Sequence, residues 1–221
     1  MSFRRLSAWS GVAFVVLILA SSFIAGESSP TVTDSPEEVT SYLVDNNDAL
    51  LVGNFLSSLA GVAFVVFLAG LYQRLRETDR QTGEPWAFIG LIGAILLGVA
   101  ATIAQAAASV AILRAEEGTG VAAAFFDLSL MGYALTGVMI TIMLIGFSMA
   151  MARARLMPMW VTWLGYVGAL VGLVGSASAG SRSDTLGFIG FLAFLVFTLW
   201  VLSVSVLLMR SESAPVTASP A

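Results

Sequence analysis

The sequence contains no cysteine, no histidine and no lysine. Without cysteine there is no disulfide, no thiolate nucleophile and no thiolate metal ligand. Without histidine, imidazole metal sites, axial histidine ligation of haem and histidine proton relays are excluded. Without lysine, no Schiff base of the retinal or pyridoxal kind can form. All ten basic residues are arginine. Charge is scarce as well. Charged side chains are 11% of the chain, the net charge is −4, and no basic run of the kind that binds nucleic acid is present. The serines have no histidine to act as base, so no catalytic residue, cofactor or metal ligand is expected, and the chain is not read as an enzyme. A lysine-free composition rich in Ala, Gly, Val and Arg points to a high-GC bacterial genome.

What is present is apolar sequence. Hydrophobic residues are 58% of the chain, and the mean hydropathy is +0.92; a soluble domain is about half apolar. The excess falls in six blocks, about Trp9–Ala25, Ala49–Tyr72, Ala87–Leu113, Val121–Met151, Met159–Gly180 and Thr185–Met209. A hydrocarbon core of about 30 Å needs about 20 helical residues. The spacing therefore predicts an all-α fold: a polytopic bundle of six transmembrane helices in one domain, residues 1–210. Residues 211–221, rich in Ser, Pro and Ala, read as a disordered cytoplasmic tail. The fourth block is longer than a membrane needs and should tilt or protrude.

Arginine placement predicts the orientation. With the N-terminus inside, Arg4, Arg5, Arg74, Arg76, Arg80, Arg153, Arg155 and Arg210 are cytoplasmic, and only Arg114 and Arg182 are outside. Trp9, Trp86, Trp160 and Trp163 then lie at inner helix ends, at the headgroup level indole prefers. This places both termini inside and the chain in the bacterial plasma membrane. The basic start followed by Ala20-Ser21-Ser22 admits a second reading, a cleaved signal peptide.

The first outer loop carries Ser35-Pro36-Glu37-Glu38, a capping-box start with Pro at the first helical position. Val39, Tyr42 and Leu43 follow on one face, so a short amphipathic helix is expected on the membrane or the bundle, as a connector or as a lid. Paired acids occur as Glu37-Glu38 and Glu116-Glu117, read as solvated surface or a weak divalent-cation site. Leu6–Val16 resembles Leu56–Val66. The stretch from Arg74 through Pro85-Trp86 to Ala94 parallels that from Arg153 through Pro158 and Trp160 to Ala169, as a duplicated hairpin would.

Lipid is as apolar as leucine, so close helix packing needs small residues. They recur at every fourth position: Gly53, Ser57 and Gly61; Gly90, Ala94, Gly98, Thr102 and Ala106; Gly168, Gly172, Ser176 and Gly180. These ridges serve packing within the bundle or a dimer face. Polar groups inside apolar blocks are expensive and therefore informative. Asn54, Gln105 and Asp127 lie roughly 8, 12 and 9 Å below the outer helix ends at about 1.5 Å per residue. None is near the midplane, which argues against a proton pump or ion-coupled carrier. Arg114 and Arg182 are the candidate cations for Asp127. The five residues together form the candidate site, an outer polar cluster.

The arginine-bearing first helix, the segment Asp34–Val39, the helix end Leu71-Tyr72-Gln73-Arg74-Leu75-Arg76, the run Leu156–Gly165 and the last helix with Trp200, Ser203 and Ser205 form one pattern. It resembles uncharacterised six-helix membrane proteins common in actinobacteria, related to a domain of unknown function. The resemblance implies the six-helix fold and carries no mechanism. The expected role is a non-enzymatic scaffold, with membrane lipid, a membrane protein or a second copy as partner and no nucleic acid. The alternative is a small transporter or exporter accessory with an outward-facing polar pocket.

Overall fold

A computed structural model of the chain describes residues 2–24, 29–117, 120–179, 181 and 183–213, and its regular structure there is helical. Seven α-helices follow in order: α1 (Phe3–Ile24), α2 (Pro36–Asp45), α3 (Asn47–Thr82), α4 (Trp86–Arg114), α5 (Gly120–Ala154), α6 (Met159–Gly175) and α7 (Asp184–Ser213). Six of them, all but α2 and with α6 counted through its 3-10 extension to Ser178, are long and apolar enough to cross a membrane. The protein is a multi-pass membrane protein.

Several helices outrun their apolar blocks, because hydropathy marks the bilayer and not the end of a hydrogen-bonded helix. Ten further residues carry α3 to Thr82. They include Gln, Arg and Glu, which are good helix formers. At 1.5 Å per residue, the 36 residues of α3 span about 54 Å against a hydrocarbon core of about 30 Å. Its last turns, with Arg74, Arg76 and Arg80, therefore stand beyond the hydrocarbon. The last helix runs to Ser213, three residues into the stretch expected to be disordered; residues 214–221 lie outside the described residues. The fifth block ends sooner, since α6 stops at Gly175 and tightens into a 3-10 turn at 176–178.

The two hairpins noted in the sequence share a left-handed residue followed by proline, though their closing hydrogen bonds differ. Gly83 closes α3 with a left-handed φ of 71°, its N–H bonding the Asp79 carbonyl at 2.9 Å. Arg155 closes α5 with a φ of 49°, and Leu156 N–H reaches back to the Met151 carbonyl at 3.3 Å. Each left-handed residue reverses the chain and is followed by Pro85 or Pro158, which starts the next helix. The Leu6–Val16 and Leu56–Val66 likeness has no such common use. Gly11 is packed against Phe67 and Ser205, whereas the equivalent Gly61 faces open space.

Sequence neighbours pack side by side from α4 to α7, and α1 closes against α3 and α7. Glycines let backbones touch. A Cβ at Gly93 would overlap the Met143 backbone, one at Gly146 the Gly90 backbone, and one at Gly137 the Gly172 carbonyl. Halfway along the bundle, aromatic rings fill the space. Phe14 of α1 lies 4.7 Å from Phe64 of α3 and 5.9 Å from Phe197 of α7, centroid to centroid. Trp200, Phe67 and Phe147 are fully buried beside them. The first helix contributes Ala8, Phe14 and Val15 to this core.

The short helix α2 forms where its sequence signature placed it. Ser35 Oγ accepts from Glu38 N–H, and the Glu38 carboxylate accepts from Ser35 N–H at 2.9 Å. Val39, Tyr42 and Leu43 are all buried, against Ala111, Ile112 and Ala115 at the end of α4 and Ala122, Ala123 and Phe126 at the start of α5. The helix thus lies on the bundle and covers the turn between α4 and α5.

Candidate functional site

Two of the five expected site residues meet. Asn54 and Ser58 stand one turn apart on α3, and Gln105 and Ser109 one turn apart on α4. Gln105 Nε2 donates to the Asn54 carbonyl at 2.6 Å and to Ser58 Oγ at 3.1 Å. Asn54 Nδ2 donates to Ser109 Oγ at 3.3 Å, and Ser109 Oγ in turn donates to the Gln105 carbonyl at 2.9 Å. The two helices clasp each other through reciprocal bonds among half-buried Asn54, Gln105 and Ser109 and exposed Ser58. A second polar contact lies one helix over: Ser21 of α1 donates to the Gly53 carbonyl at 2.9 Å and sits 2.7 Å from Ser57 Oγ. Interhelical bonds of this kind contribute about 0.6 kcal/mol each within a membrane. They fix the register of α1, α3 and α4 at this end.

The charged members are placed apart from the clasp. Arg114 turns along its own chain and pairs with Glu117, and both side chains are about half exposed. Its partner is therefore a loop acid three residues on, which it reaches without leaving water. Asp127 is half-buried on α5 and makes no hydrogen bond or ion pair with Arg114, Asn54 or Gln105. Arg182 lies outside the described residues. Among the described members of the expected cluster, Asn54 and Gln105 form a two-helix amide clasp, and Asp127 and Arg114 make no hydrogen bond or ion pair with it.

The structure brings together a buried set that the sequence reading passed over. Ser148 of α5, Thr162 of α6 and Trp200 of α7 are all at most 1% exposed. Their Oγ, Oγ1 and Nε1 atoms have no hydrogen-bond partner. Ser148 and Trp200 converge on Gly165, where a Cβ would overlap Ser148 Oγ and stand 2.9 Å from Trp200 Nε1. The available signal was Trp200, the one tryptophan distant from a helix end. Hydroxyl and indole groups in apolar blocks draw less notice than an amide or an acid. Nearby, Thr141 Oγ1 bridges α5 to α6 by reaching the Ala169 carbonyl at 2.8 Å as well as its own helix at Gly137.

The opposite end of the bundle carries the arginines. Arg74 donates to the Arg4 carbonyl at 3.2 Å, tying the end of α3 to the start of α1. Arg153 pairs with Glu84 at 3.2 Å, tying the end of α5 to the turn before α4. Trp9, Trp160 and Trp163 are each more than half exposed on the bundle's outer surface. Indole rings there suit a headgroup layer.

None of these groupings assembles a nucleophile with a base, and among the described residues no cluster of three acidic, His or Cys side chains could hold a metal ion. No curated protein and no solved structure matches the chain. The family model for a domain of unknown function (DUF4386) matches residues 9–210, which reaches from within α1 to within α7 and so touches all six long helices, and the chain belongs to that family.

Proposed function

We propose that the protein is a non-enzymatic bundle of the bacterial plasma membrane that works by contact with lipid or with a membrane partner, its termini on the cytoplasmic side. The observation that carries this reading is the packed aromatic centre, where Phe14, Phe64 and Phe197 from three helices meet within 6 Å of one another. A carrier needs a polar path at this depth. Here the polar groups with partners hold helices together, and the contact surface is the outside of the bundle. Extraction of the chain from native membrane in a lipid-retaining polymer, followed by mass spectrometry of what accompanies it, tests the reading. Stoichiometric lipid or a membrane protein is expected; a chain that emerges alone overturns it.

One observation favours a second reading, an outward-facing polar pocket of a small transporter. Asp127 lies within an apolar helix, where acids mark solute paths, although the contacts expected of it with Arg114, Asn54 and Gln105 do not form. Solute uptake by proteoliposomes that Asp127→Asn abolishes, at unchanged thermal stability, would decide for it.

A further inference from the structure

The turn joining α3 to α4 forms an open groove of about 440 Å³ at the arginine-bearing end, lined by Tyr72, Arg76, Arg80 and Phe88 together with Asp79 and Glu84. Its two acids are already engaged. The Asp79 carboxylate accepts the N–H groups of Ala87 and Phe88 at 3.0 and 3.1 Å, capping the first turn of α4. Glu84 accepts the Trp86 indole N–H at 2.8 Å and pairs with Arg153 at 3.2 Å. The two arginines are not engaged in the same way. Arg76 is exposed and has no hydrogen bond or ion pair among the described residues. Arg80 has only Glu77, 3.6 Å away with both side chains more than 60% exposed, a geometry that contributes little.

The walls of the groove continue into the membrane. On α3, Val65, Ala69, Tyr72 and Arg76 follow at helical spacing, and Val65 and Ala69 are exposed. On α4, Phe88, Ile92, Ile95 and Val99 do the same, each at least 40% exposed. A guanidinium pair thus sits at the mouth of two apolar strips, with Tyr72 and Trp86 at the level of the headgroups. Arginine presents its donors in a fork that fits phosphate oxygens. Basic pockets between membrane helices take anionic headgroups.

We propose that this groove binds one anionic phospholipid, its phosphate held by Arg76 and Arg80 and its acyl chains laid along the exposed strips of α3 and α4. The apolar continuation distinguishes a lipid from a free anion, which would use the arginines alone. This inference rests on the reading of the bundle as one that works by contact, and it names the contact.

The test uses the full chain in phosphatidylcholine nanodiscs with and without phosphatidylglycerol, read by thermal unfolding and by native mass spectrometry. The wild type should unfold at a higher temperature with phosphatidylglycerol and retain one bound copy of it. Arg76→Gln with Arg80→Gln should weaken that binding about tenfold or more, while unfolding in phosphatidylcholine alone stays unchanged, since both side chains are exposed. Arg5→Gln, at the same end but outside the groove, should keep the effect. An unchanged shift in the double variant overturns the proposal, as does a wild type that unfolds at the same temperature with and without phosphatidylglycerol. Stabilisation of the detergent-solubilised chain by inorganic phosphate alone overturns it in favour of a free-anion site. If the double variant still co-purifies with other lipid or a membrane protein, the general contact reading stands and only this site falls.

Discussion

Gly172 sits where α6 crosses α5, and a Cβ there would lie 3.1 Å from the Gly137 carbonyl and 3.4 Å from Thr141 Oγ1. Leucine cannot fit without forcing the helices apart, so Gly172→Leu should cost about 1–3 kcal/mol or more. Leu170 is 65% exposed, so Leu170→Ile should change little. Equal unfolding temperatures in detergent for wild type and Gly172→Leu would refute the close crossing. Ser148 gives the opposite expectation. Its hydroxyl is buried without a partner, and such a group costs about 1–3 kcal/mol relative to water. Ser148→Ala removes the polar atom and keeps nearly all the volume, so the variant should unfold at the same temperature or higher. A clear loss of stability would mean the hydroxyl holds something that belongs to the native protein. At this scale the sequence was only partly legible. Asn54 and Gln105 stood out because amides in apolar blocks must find partners, and they found each other. Their grouping with Asp127 and Arg114 rested on matching depth. Depth does not fix which way a side chain faces around its helix, and Arg114 had a nearer acid in Glu117.

Each helix end shows how far local chemistry decides an element. The start of α2 was legible because Ser35, Pro36 and Glu38 form a cap from contiguous residues. The block starting at Ala87 met the start of α4 at Trp86 to within one residue, but what caps it was not legible, since Pro85 offers no side-chain cap. The cap comes from Asp79, seven residues before the helix on α3, and only the tight Gly83 turn brings it there. Asp79→Ala should cost about 1–2 kcal/mol, as loss of a charged N-terminal cap does. Hydrogen exchange of the Ala87 and Phe88 amides should speed up selectively, and unchanged protection of both would count against the cap. The small-residue ridges were legible in kind but not in period. A strict four-residue step advances 400° on a helix of about 100° per residue, so it drifts about 40° each time. Over α4 the drift carries the ridge from the buried Gly90 and Ala94 to the exposed Gly98, Thr102 and Ala106. The buried face alternates steps of three and four, through Ala87, Gly90, Ala94 and Leu97 and again through Ala104, Ala107 and Ala111.

For the whole molecule, six apolar blocks mapped onto six long helices because a bilayer demands a fixed apolar length whatever the packing. Which side each end occupies is a separate question that rests on charge. The structure gathers the relevant groups at one end: Arg74 bonds the Arg4 carbonyl, Arg153 pairs with Glu84, and the long overhang of α3 carries Arg76 and Arg80 beyond the hydrocarbon. Exposed Trp9, Trp160 and Trp163 belong to the first two turns of α1 and α6, so they occupy the same end. The opposite end holds α2, with Glu37, Glu38 and Asp45, and the Arg114–Glu117 pair. Moving arginines across an energised membrane is opposed, whereas acids have little influence on orientation. The arginine-bearing end should therefore face the cytoplasm. Reporter fusions after Arg76 and Arg155 should read cytoplasmic, and one at Asp45 should read external. An external signal at Arg155 with a cytoplasmic one at Arg76 would break the six-pass order of α4 and α5. External signals at both, with a cytoplasmic one at Asp45, would keep the bundle and invert it, and the acidic cap formed by α2 would then face the cytoplasm.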